Sequence, residues 1–228
     1  MNRRALLALP LLALLSKFSR TDSPLIIADG NSLTNTDYSE GATSWVWYLA
    51  QAYPNWRIIN VACAGKTTPH QAERAPIYVD RLYEPGAICI MWEVTNDLYF
   101  GASPTQAVDN LGAYCQARRA VGFRVLTMTV LPRRATGFEP LRAEANRLMR
   151  AQWREFADGL LDVAADGVGA AGQNEDTAYY LPDGTHLNNA GEQRVAAMVA
   201  GGLAVPAGTI PGTIPETKRA IYLPMVGH

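Results

Sequence analysis

The chain has 228 residues, and its 20 basic and 21 acidic residues give a net charge of −1. A near-neutral chain without a basic stripe lacks the electrostatic footprint of a nucleic-acid-binding protein, so we expect no nucleic-acid partner. Hydrophobic residues make up 48% of the sequence, which excludes a wholly disordered chain and fits one domain with a sizeable core.

The first 22 residues are typical of a targeting segment. Arg3 and Arg4 precede an apolar run over 5–15, and polar residues follow it. This pattern predicts a secretory signal, and the run is too short to span a bilayer. An N-terminal helix packed on the domain is the alternative. We therefore expect a secreted or cell-surface protein without a transmembrane span, or a cytoplasmic one if the segment is not a functional signal.

From residue 25 onward, short apolar runs alternate with longer amphipathic stretches. The predicted strands cover 25–28, 57–62, 87–92, 124–130 and 160–163. The predicted helices cover 44–53, 69–82, 104–121, 139–156 and 188–202. Strands without polar alternation are typical of a parallel sheet covered on both faces. We therefore predict one α/β domain over 23–204, a three-layer α/β/α sandwich around a central five-stranded parallel sheet.

The composition changes at residue 205. Residues 205–228 begin with a stretch rich in Pro, Gly and Thr, which predicts a linker or an extended tail on the surface. The last apolar segment, 221–226, has three candidate docking partners: this domain, another chain or a cell-surface component.

The cysteines and histidines predict no metal site. Cys63, Cys89 and Cys115 form no metal-ligand spacing, and no two of the three histidines lie at helical spacing. We expect no metal and no cofactor. We interpret the cysteines as buried thiols. A single disulfide between two of them is the alternative.

A serine and a histidine lie in loops where an α/β sheet places ligands. Ser32 follows the first predicted strand, and a serine hydroxyl there becomes a nucleophile when a base takes its proton. Asp183-Gly184-Thr185-His186 offers that base together with a carboxylate to orient it. Each residue alone also has a structural explanation: Ser32 as a helix cap or turn residue, and Asp183 as part of a Pro-Asp-Gly turn.

Four short blocks follow one another along the chain. They are Gly30-Asn31-Ser32-Leu33, Asn60-Val61-Ala62-Cys63-Ala64-Gly65, Val94-Thr95-Asn96-Asp97 and Asp183-Gly184-Thr185-His186. In order and position they resemble the four blocks of the SGNH (GDSL-type) hydrolases over residues 24–203. The resemblance implies the flavodoxin-like fold of that family and a serine esterase. It also implies a Ser32, His186 and Asp183 triad, with an oxyanion hole from the N–H groups of Ser32 and Gly65 and the Asn96 side chain.

The first and third blocks depart from the family pattern. Asn31 replaces the aspartate of G-D-S-L, and we expect it to alter local hydrogen bonding more than the reaction. Val94 replaces the glycine of the third block. Because a β-branched residue does not easily take a positive φ, we expect the backbone that leads to Asn96 to differ.

Residues next to these blocks are candidates for the substrate pocket. Trp92 and Glu93 end the third predicted strand close to Asn96, and we expect them to line an acyl or sugar pocket together with Asn31 and Lys66. In the rival interpretation, Lys66 belongs to a phosphate-binding loop over 64–68, but Asn60 stands where that motif requires a glycine. We expect Lys66 at the rim of the cleft.

These features favour an esterase acting on short-acyl esters, such as an acetylated carbohydrate. The expected partner is a small-molecule or carbohydrate ester. Three alternatives remain: a non-catalytic carbohydrate- or surface-binding module on the same fold, a lysophospholipase or thioesterase of the same family, and a nucleotide-binding protein. The sequence leaves the oligomeric state open.

Overall fold

The computed structural model describes residues 24–36 and 42–203, together with the backbone of 221–222. The predicted signal over 1–22 and most of the tail lie outside these residues. The strands are β1 (Leu25–Gly30), β2 (Arg57–Asn60), β3 (Ile88–Trp92), β4 (Arg124–Met128), β5 (Gly159–Leu161) and β6 (Ile221–Tyr222). The helices are α1 (Trp45–Ala52), α2 (Thr68–Tyr78), α3 (Thr95–Tyr99), α4 (Pro104–Val121), α5 (Phe138–Phe156) and α6 (Asn189–Gly202).

The strands form one parallel sheet in the order β5-β4-β3-β1-β2-β6. The five predicted strands are confirmed, each with ends within two residues of the prediction. The sheet also carries a sixth strand of two residues, in which Ile221 pairs with Ile59 of β2. For residues 221–222, docking on this domain is therefore the alternative that is observed.

Two apolar cores lie on the two faces of the sheet. Ile26 and Ala28 of β1 belong to the core that α1 and α6 cover, whereas Leu25 and Ile27 belong to the core beneath α2, α4 and α5. Alternate residues of a strand point to opposite faces, so a strand that is buried throughout separates two helical layers. The predicted three-layer sandwich is confirmed.

The boundaries of α4 follow from its capping residues. Ser103 Oγ accepts a hydrogen bond from Gln106 N at 3.2 Å, Pro104 occupies the first turn, and Gly122 ends the helix at φ 119°. The five-residue helix α3 was not predicted, because it is too short to show helical periodicity. Cys63, Cys89 and Cys115 are buried, and no disulfide joins them. Within the described residues, no helix has the length and apolar character needed to cross a bilayer.

Candidate active site

The candidate nucleophile lies at the carboxyl end of the central strand. β1 ends at Gly30, and Ser32 follows in the tight turn that leads out of the sheet. Gly30 adopts φ 146°, and a Cβ at this position would lie 2.3 Å from the Trp92 carbonyl oxygen. Only glycine allows this close approach to β3. The turn therefore presents the Ser32 hydroxyl above the sheet.

Ser32, His186 and Asp183 form a continuous hydrogen-bonded chain. His186 Nε2 lies 2.8 Å from Ser32 Oγ, and His186 Nδ1 lies 2.6 Å from Asp183 Oδ2. Ser32 and His186 are 154 residues apart in sequence, so the fold alone brings them together. A serine, an imidazole and a carboxylate in this order can activate a hydroxyl for attack.

The Asp183 carboxylate is held in its charged form by the loop around it. Its partial burial opposes ionisation, but the hydrogen bonds from the His186 ring and from the His186 and Thr185 N–H groups outweigh burial and lower the pKa of Asp183. Asp183 Oδ1 accepts both N–H groups, at 2.9 and 3.0 Å, which leaves Oδ2 for the ring. A fixed anion of this kind orients an imidazole and stabilises its protonated form.

Arg134 anchors the Asp183–His186 loop to the segment after β4. Its backbone N–H donates to the Gly184 carbonyl at 2.7 Å, and its Nη1 donates to the Pro182 carbonyl at 2.7 Å. Asn174 Nδ2 donates to the Gly184 carbonyl from the other side, at 3.2 Å. Sequence reasoning missed these contacts, because they join segments with no shared motif.

Three candidate oxyanion donors come from the ends of β1, β2 and β3. Within the described residues, neither Ser32 N nor Gly65 N donates to a protein acceptor. Gly65 is exposed, adopts φ 71° and has open space around it. Asn96, on α3, supplies a side-chain amide. Donors that remain free in the resting protein are what an oxyanion requires.

The orientation of the Asn96 amide is fixed by two contacts. Asn96 Nδ2 donates to the Lys66 carbonyl at 2.9 Å, and Asn96 Oδ1 accepts from Arg133 Nη1 at 3.0 Å. The amide nitrogen has two hydrogens, so one remains for an oxyanion. Sequence reasoning missed Arg133, which lies 37 residues from Asn96.

A buried pair joins the turn of Ser32 to the loop of Asn96. Asn31 Nδ2 donates to Glu93 Oε1 at 2.7 Å, while Asn31 Oδ1 accepts from Leu33 N at 2.9 Å. Glu93 Oε1 also lies 3.3 Å from Asn96 N. Burial raises the pKa of Glu93 well above the usual carboxyl range, although the Asn31 hydrogen bond opposes the rise. Asn31 thus takes part in a buried hydrogen-bond network, and its effect on the reaction stays a prediction.

Val94 takes a backbone conformation that glycine adopts more readily than valine. It adopts φ 85° and ψ −36° and is fully buried. The expectation that a valine would avoid a positive φ at this position was wrong. Surrounding packing overrides the steric preference of the residue, as it does in other strained segments at functional sites.

Three of the four candidate pocket residues are buried behind the site. Asn31 is 0% exposed, and Trp92 and Glu93 are each 1% exposed. Trp92 Nε1 donates to the Thr129 carbonyl at 3.0 Å. Lys66 is exposed, as expected for a residue at the rim. Of the four residues, only Lys66 is open to a ligand at the surface, whereas the other three lie buried beneath the site.

The phosphate-loop interpretation of 64–68 conflicts with the start of α2. Thr68 N and Thr68 Oγ1 both donate to Asp97 Oδ2, each at 2.9 Å. In a phosphate loop, N–H groups at the start of the helix bind phosphate, and the hydroxyl of the residue after the lysine binds magnesium. That residue is Thr67 in this chain, and its Oγ1 lies 2.7 Å from His70 Nδ1. The Asp97 carboxylate already occupies the N–H of Thr68.

The chain was then compared with known proteins. The model of the GDSL-like lipase/acylhydrolase family matches residues 28–194, which is more than half of the chain. The chain belongs to this family. The match includes Ser32, Asp183 and His186, and the fold agrees with that of solved family members. A search of the curated proteins found no significant match.

Solved structures of this family share the fold at low sequence identity. TesA has 23% identity and a TM-score of 0.64, over 78% of this chain and 97% of its own. The esterase EstA from Pseudoalteromonas sp. has 15% identity and a TM-score of 0.61, over 80% and 97%. Est24, a carbohydrate acetylesterase from Sinorhizobium meliloti, has 18% identity and a TM-score of 0.58, over 79% and 98%.

Proposed function

We propose that the protein is a serine esterase that hydrolyses carboxylic esters with short acyl groups, such as acetyl esters of a carbohydrate. The observation that carries the proposal is the hydrogen-bonded chain from Ser32 through His186 to Asp183, with three candidate oxyanion donors beside it. Membership of the GDSL-like family supports ester hydrolysis. Export by the first 22 residues remains a prediction.

In this mechanism Ser32 Oγ attacks the ester carbonyl while His186 Nε2 takes its proton. The tetrahedral intermediate collapses, the alcohol leaves with the proton from His186, and Ser32 is acylated. His186 then deprotonates a water molecule, which attacks the acyl-enzyme. The acid leaves, and His186 returns the proton to Ser32 Oγ. Asp183 keeps its charge throughout and stabilises the imidazolium.

The oxyanion is stabilised by Ser32 N, Gly65 N and Asn96 Nδ2. One such donor typically contributes about 3 kcal/mol to transition-state stabilisation. Asn96 is only 5% exposed, so its amide acts where water is largely excluded and a hydrogen bond is stronger. Its contacts to Arg133 and Lys66 fix the amide before substrate arrives, which avoids reorganisation during the reaction.

Two exposed aromatic residues support the proposal that the alcohol part of the ester is a carbohydrate. Tyr99 and Phe100 follow Asn96 at the end of α3, with 49% and 64% of their surfaces exposed. Their rings lie 5.2 Å apart in an edge-on arrangement. The Arg133 guanidinium covers one face of the Tyr99 ring, so the other face and the Phe100 ring are the aromatic surfaces that can contact the C–H face of a sugar. The carbohydrate acetylesterase Est24, which shares the fold, is consistent with the same substrate class.

A panel of p-nitrophenyl esters from acetate to palmitate, with one thioester, tests the proposal. We expect activity on acetate and butyrate and loss of it in Ser32→Ala. Ser103→Ala is the matched control, because Ser103 only caps α4, and it should leave activity unchanged. A preference for palmitate or for the thioester would favour the lysophospholipase or thioesterase alternative.

A fluorophosphonate probe separates an enzyme from a binding module. The probe should label wild-type protein, and Ser32→Ala should prevent labelling. Absence of labelling in folded wild-type protein, together with inactivity on every ester, would favour the non-catalytic module.

A further inference from the structure

Arg133 is a partly buried cation beside the Asn96 side chain, and the Asp183 and Glu93 charges act on it only from a distance. Its Nη1 donates to the neutral Asn96 Oδ1 at 3.0 Å, and its Cζ lies 3.6 Å from the centre of the Tyr99 ring. Among the described residues, no carboxylate lies within ion-pair distance of it. A guanidinium has five N–H donors, so most of them remain available.

The nearby acids are engaged elsewhere. Asp183 accepts from His186 and from two backbone N–H groups. Asp97 accepts from Thr68 and from Asn110 Nδ2. Burial favours the protonated form of Glu93 by raising its pKa. None of these carboxylates neutralises Arg133 by direct contact.

Lys66 adds a second positive charge to the same rim. Its carbonyl accepts from Asn96 Nδ2, so Arg133 and Lys66 flank the Asn96 amide from its two ends. Lys66 is exposed and forms no ion pair with a described residue. Both residues that contact the Asn96 amide therefore carry a positive charge without a described ion-pair partner.

Arg133 also borders space that a ligand can enter. Together with Arg134 it lines an open cavity of about 460 Å³ between the segment after β4 and residues 172–175. Of the two acids in this lining, Glu139 is bound to Arg142 at 2.6 Å, and Glu175 is exposed. Two arginines thus face one unbound carboxylate.

We propose that Arg133 is a specificity-determining residue that binds a carboxylate carried by the ester substrate, so that anionic esters are preferred over neutral ones. The planar fork of a guanidinium matches the two oxygens of a carboxylate. A partly buried site strengthens the interaction relative to a fully exposed one. This inference rests on the esterase function proposed above and names the substrate class of the same site.

The test compares kcat/KM for matched neutral and anionic esters. Mono-p-nitrophenyl succinate against p-nitrophenyl butyrate places the carboxylate on the acyl side. 4-Acetoxybenzoate against its methyl ester places it on the alcohol side. We expect wild-type protein to prefer the anionic member of at least one pair by about tenfold or more, the usual range for a hydrogen bond to a charged group. The pair that shows the preference identifies whether Arg133 binds a carboxylate on the acyl side or on the alcohol side of the ester.

Substitutions then separate recognition from positioning. Arg133→Met should lower kcat/KM for the preferred anionic ester about tenfold more than for its neutral partner, and Arg133→Lys should retain part of the preference. Arg154→Met is the matched control, since Arg154 also lies over an aromatic ring, 4.3 Å from the centre of Trp153 on α5. It should leave the anionic-to-neutral ratio unchanged.

The preference can also be measured without a variant. The anionic-to-neutral ratio of wild-type protein should fall as salt screens the charges, which keeps the test valid if Arg133→Met does not fold. Hydrolysis of neutral and anionic esters at equal rates, or an equal loss on both in Arg133→Met, would overturn the inference and leave the esterase function standing. Inactivity on all four esters would overturn both.

Discussion

Glu93 Oε1 lies 2.7 Å from Asn31 Nδ2, and this single hydrogen bond ties the turn of the candidate nucleophile to the loop of the candidate oxyanion donor. The same oxygen lies 3.3 Å from Asn96 N. Glu93 is 1% exposed, so no water can replace the carboxyl oxygen at either donor. Ser32 and Asn96 therefore reach their positions through one shared acceptor.

The first prediction concerns the role of this acceptor in catalysis. Glu93→Gln keeps a carbonyl oxygen for both donors and should retain kcat close to that of the wild type. Glu93→Met leaves two buried N–H donors without an acceptor, at a cost of about 1–3 kcal/mol each. Displacing Asn96 by about 1 Å lowers rate by roughly a hundredfold. We expect that loss in kcat with little change in KM, measured on a short-acyl ester.

Glu192 provides the control for this comparison. It is also 1% exposed, and its Oε2 accepts from the N–H of Trp45 at 2.8 Å, at the start of α1. Glu192→Met should lower stability without lowering the kcat of the folded protein. Equal kcat losses in the Glu93 and Glu192 methionine variants would show that Glu93 acts through stability alone.

The second prediction concerns the pH dependence of stability. Burial raises the pKa of Glu93 in the folded protein, whereas the unfolded chain titrates near the usual value of about 4.3. The folded state holds the proton more tightly, so this contribution is complete below about pH 4.3 and is lost as the pH rises through the folded pKa. Glu93→Gln removes the titrating group. Its free energy of unfolding should therefore fall less steeply as the pH rises above about 4.3, by up to about 1.4 kcal/mol per pH unit.

Urea unfolding at several pH values measures this slope. Asp29, whose pKa burial raises to about 6, contributes in the same direction in both proteins, and its charge is one of the causes that raise the pKa of Glu93. Parallel stability curves for wild type and Glu93→Gln would contradict the prediction.

The third prediction restores the family residue at position 31. Asn31→Asp gives the first block its G-D-S-L form but places a second carboxyl group against Glu93. Two carboxyls at hydrogen-bond distance share one proton, and removing that proton leaves two like charges in a buried site. The free energy of unfolding should fall more steeply with rising pH than in the wild type, opposite to the change in Glu93→Gln, and kcat/KM relative to that of the wild type should fall as well. A variant whose profile matches the wild type would show that Glu93 tolerates an acidic neighbour.

The sequence identified the residues of the candidate triad but not the contacts that hold the site in place. Ser32 and His186 lie in ordered blocks, and those blocks carry enough information to place both residues at one edge of a parallel sheet. The Asn31–Glu93 and Asn96–Arg133 contacts join residues 62 and 37 positions apart. Neither pair shows a periodicity or a motif, because which side chains meet there depends on how the loops pack.

The conformation of Val94 was also beyond sequence reasoning. Valine disfavours a positive φ for steric reasons. At Val94 the packing around the fully buried side chain outweighs that preference. The steric preference for a negative φ therefore does not predict the conformation of Val94, the residue before α3.

The last prediction measures the strain at Val94. At φ 85° a residue with a Cβ is destabilised by about 1–3 kcal/mol, and a glycine is not. Val94→Ala removes buried methyl groups and keeps most of the strain, whereas Val94→Gly removes one more methyl group and relieves it. Glycine is normally about 1 kcal/mol less stable than alanine in regular structure. Here the order should invert, with Val94→Gly more stable than Val94→Ala in urea unfolding and active on the same esters. The usual order, with alanine the more stable, would show that the surrounding packing removes the strain.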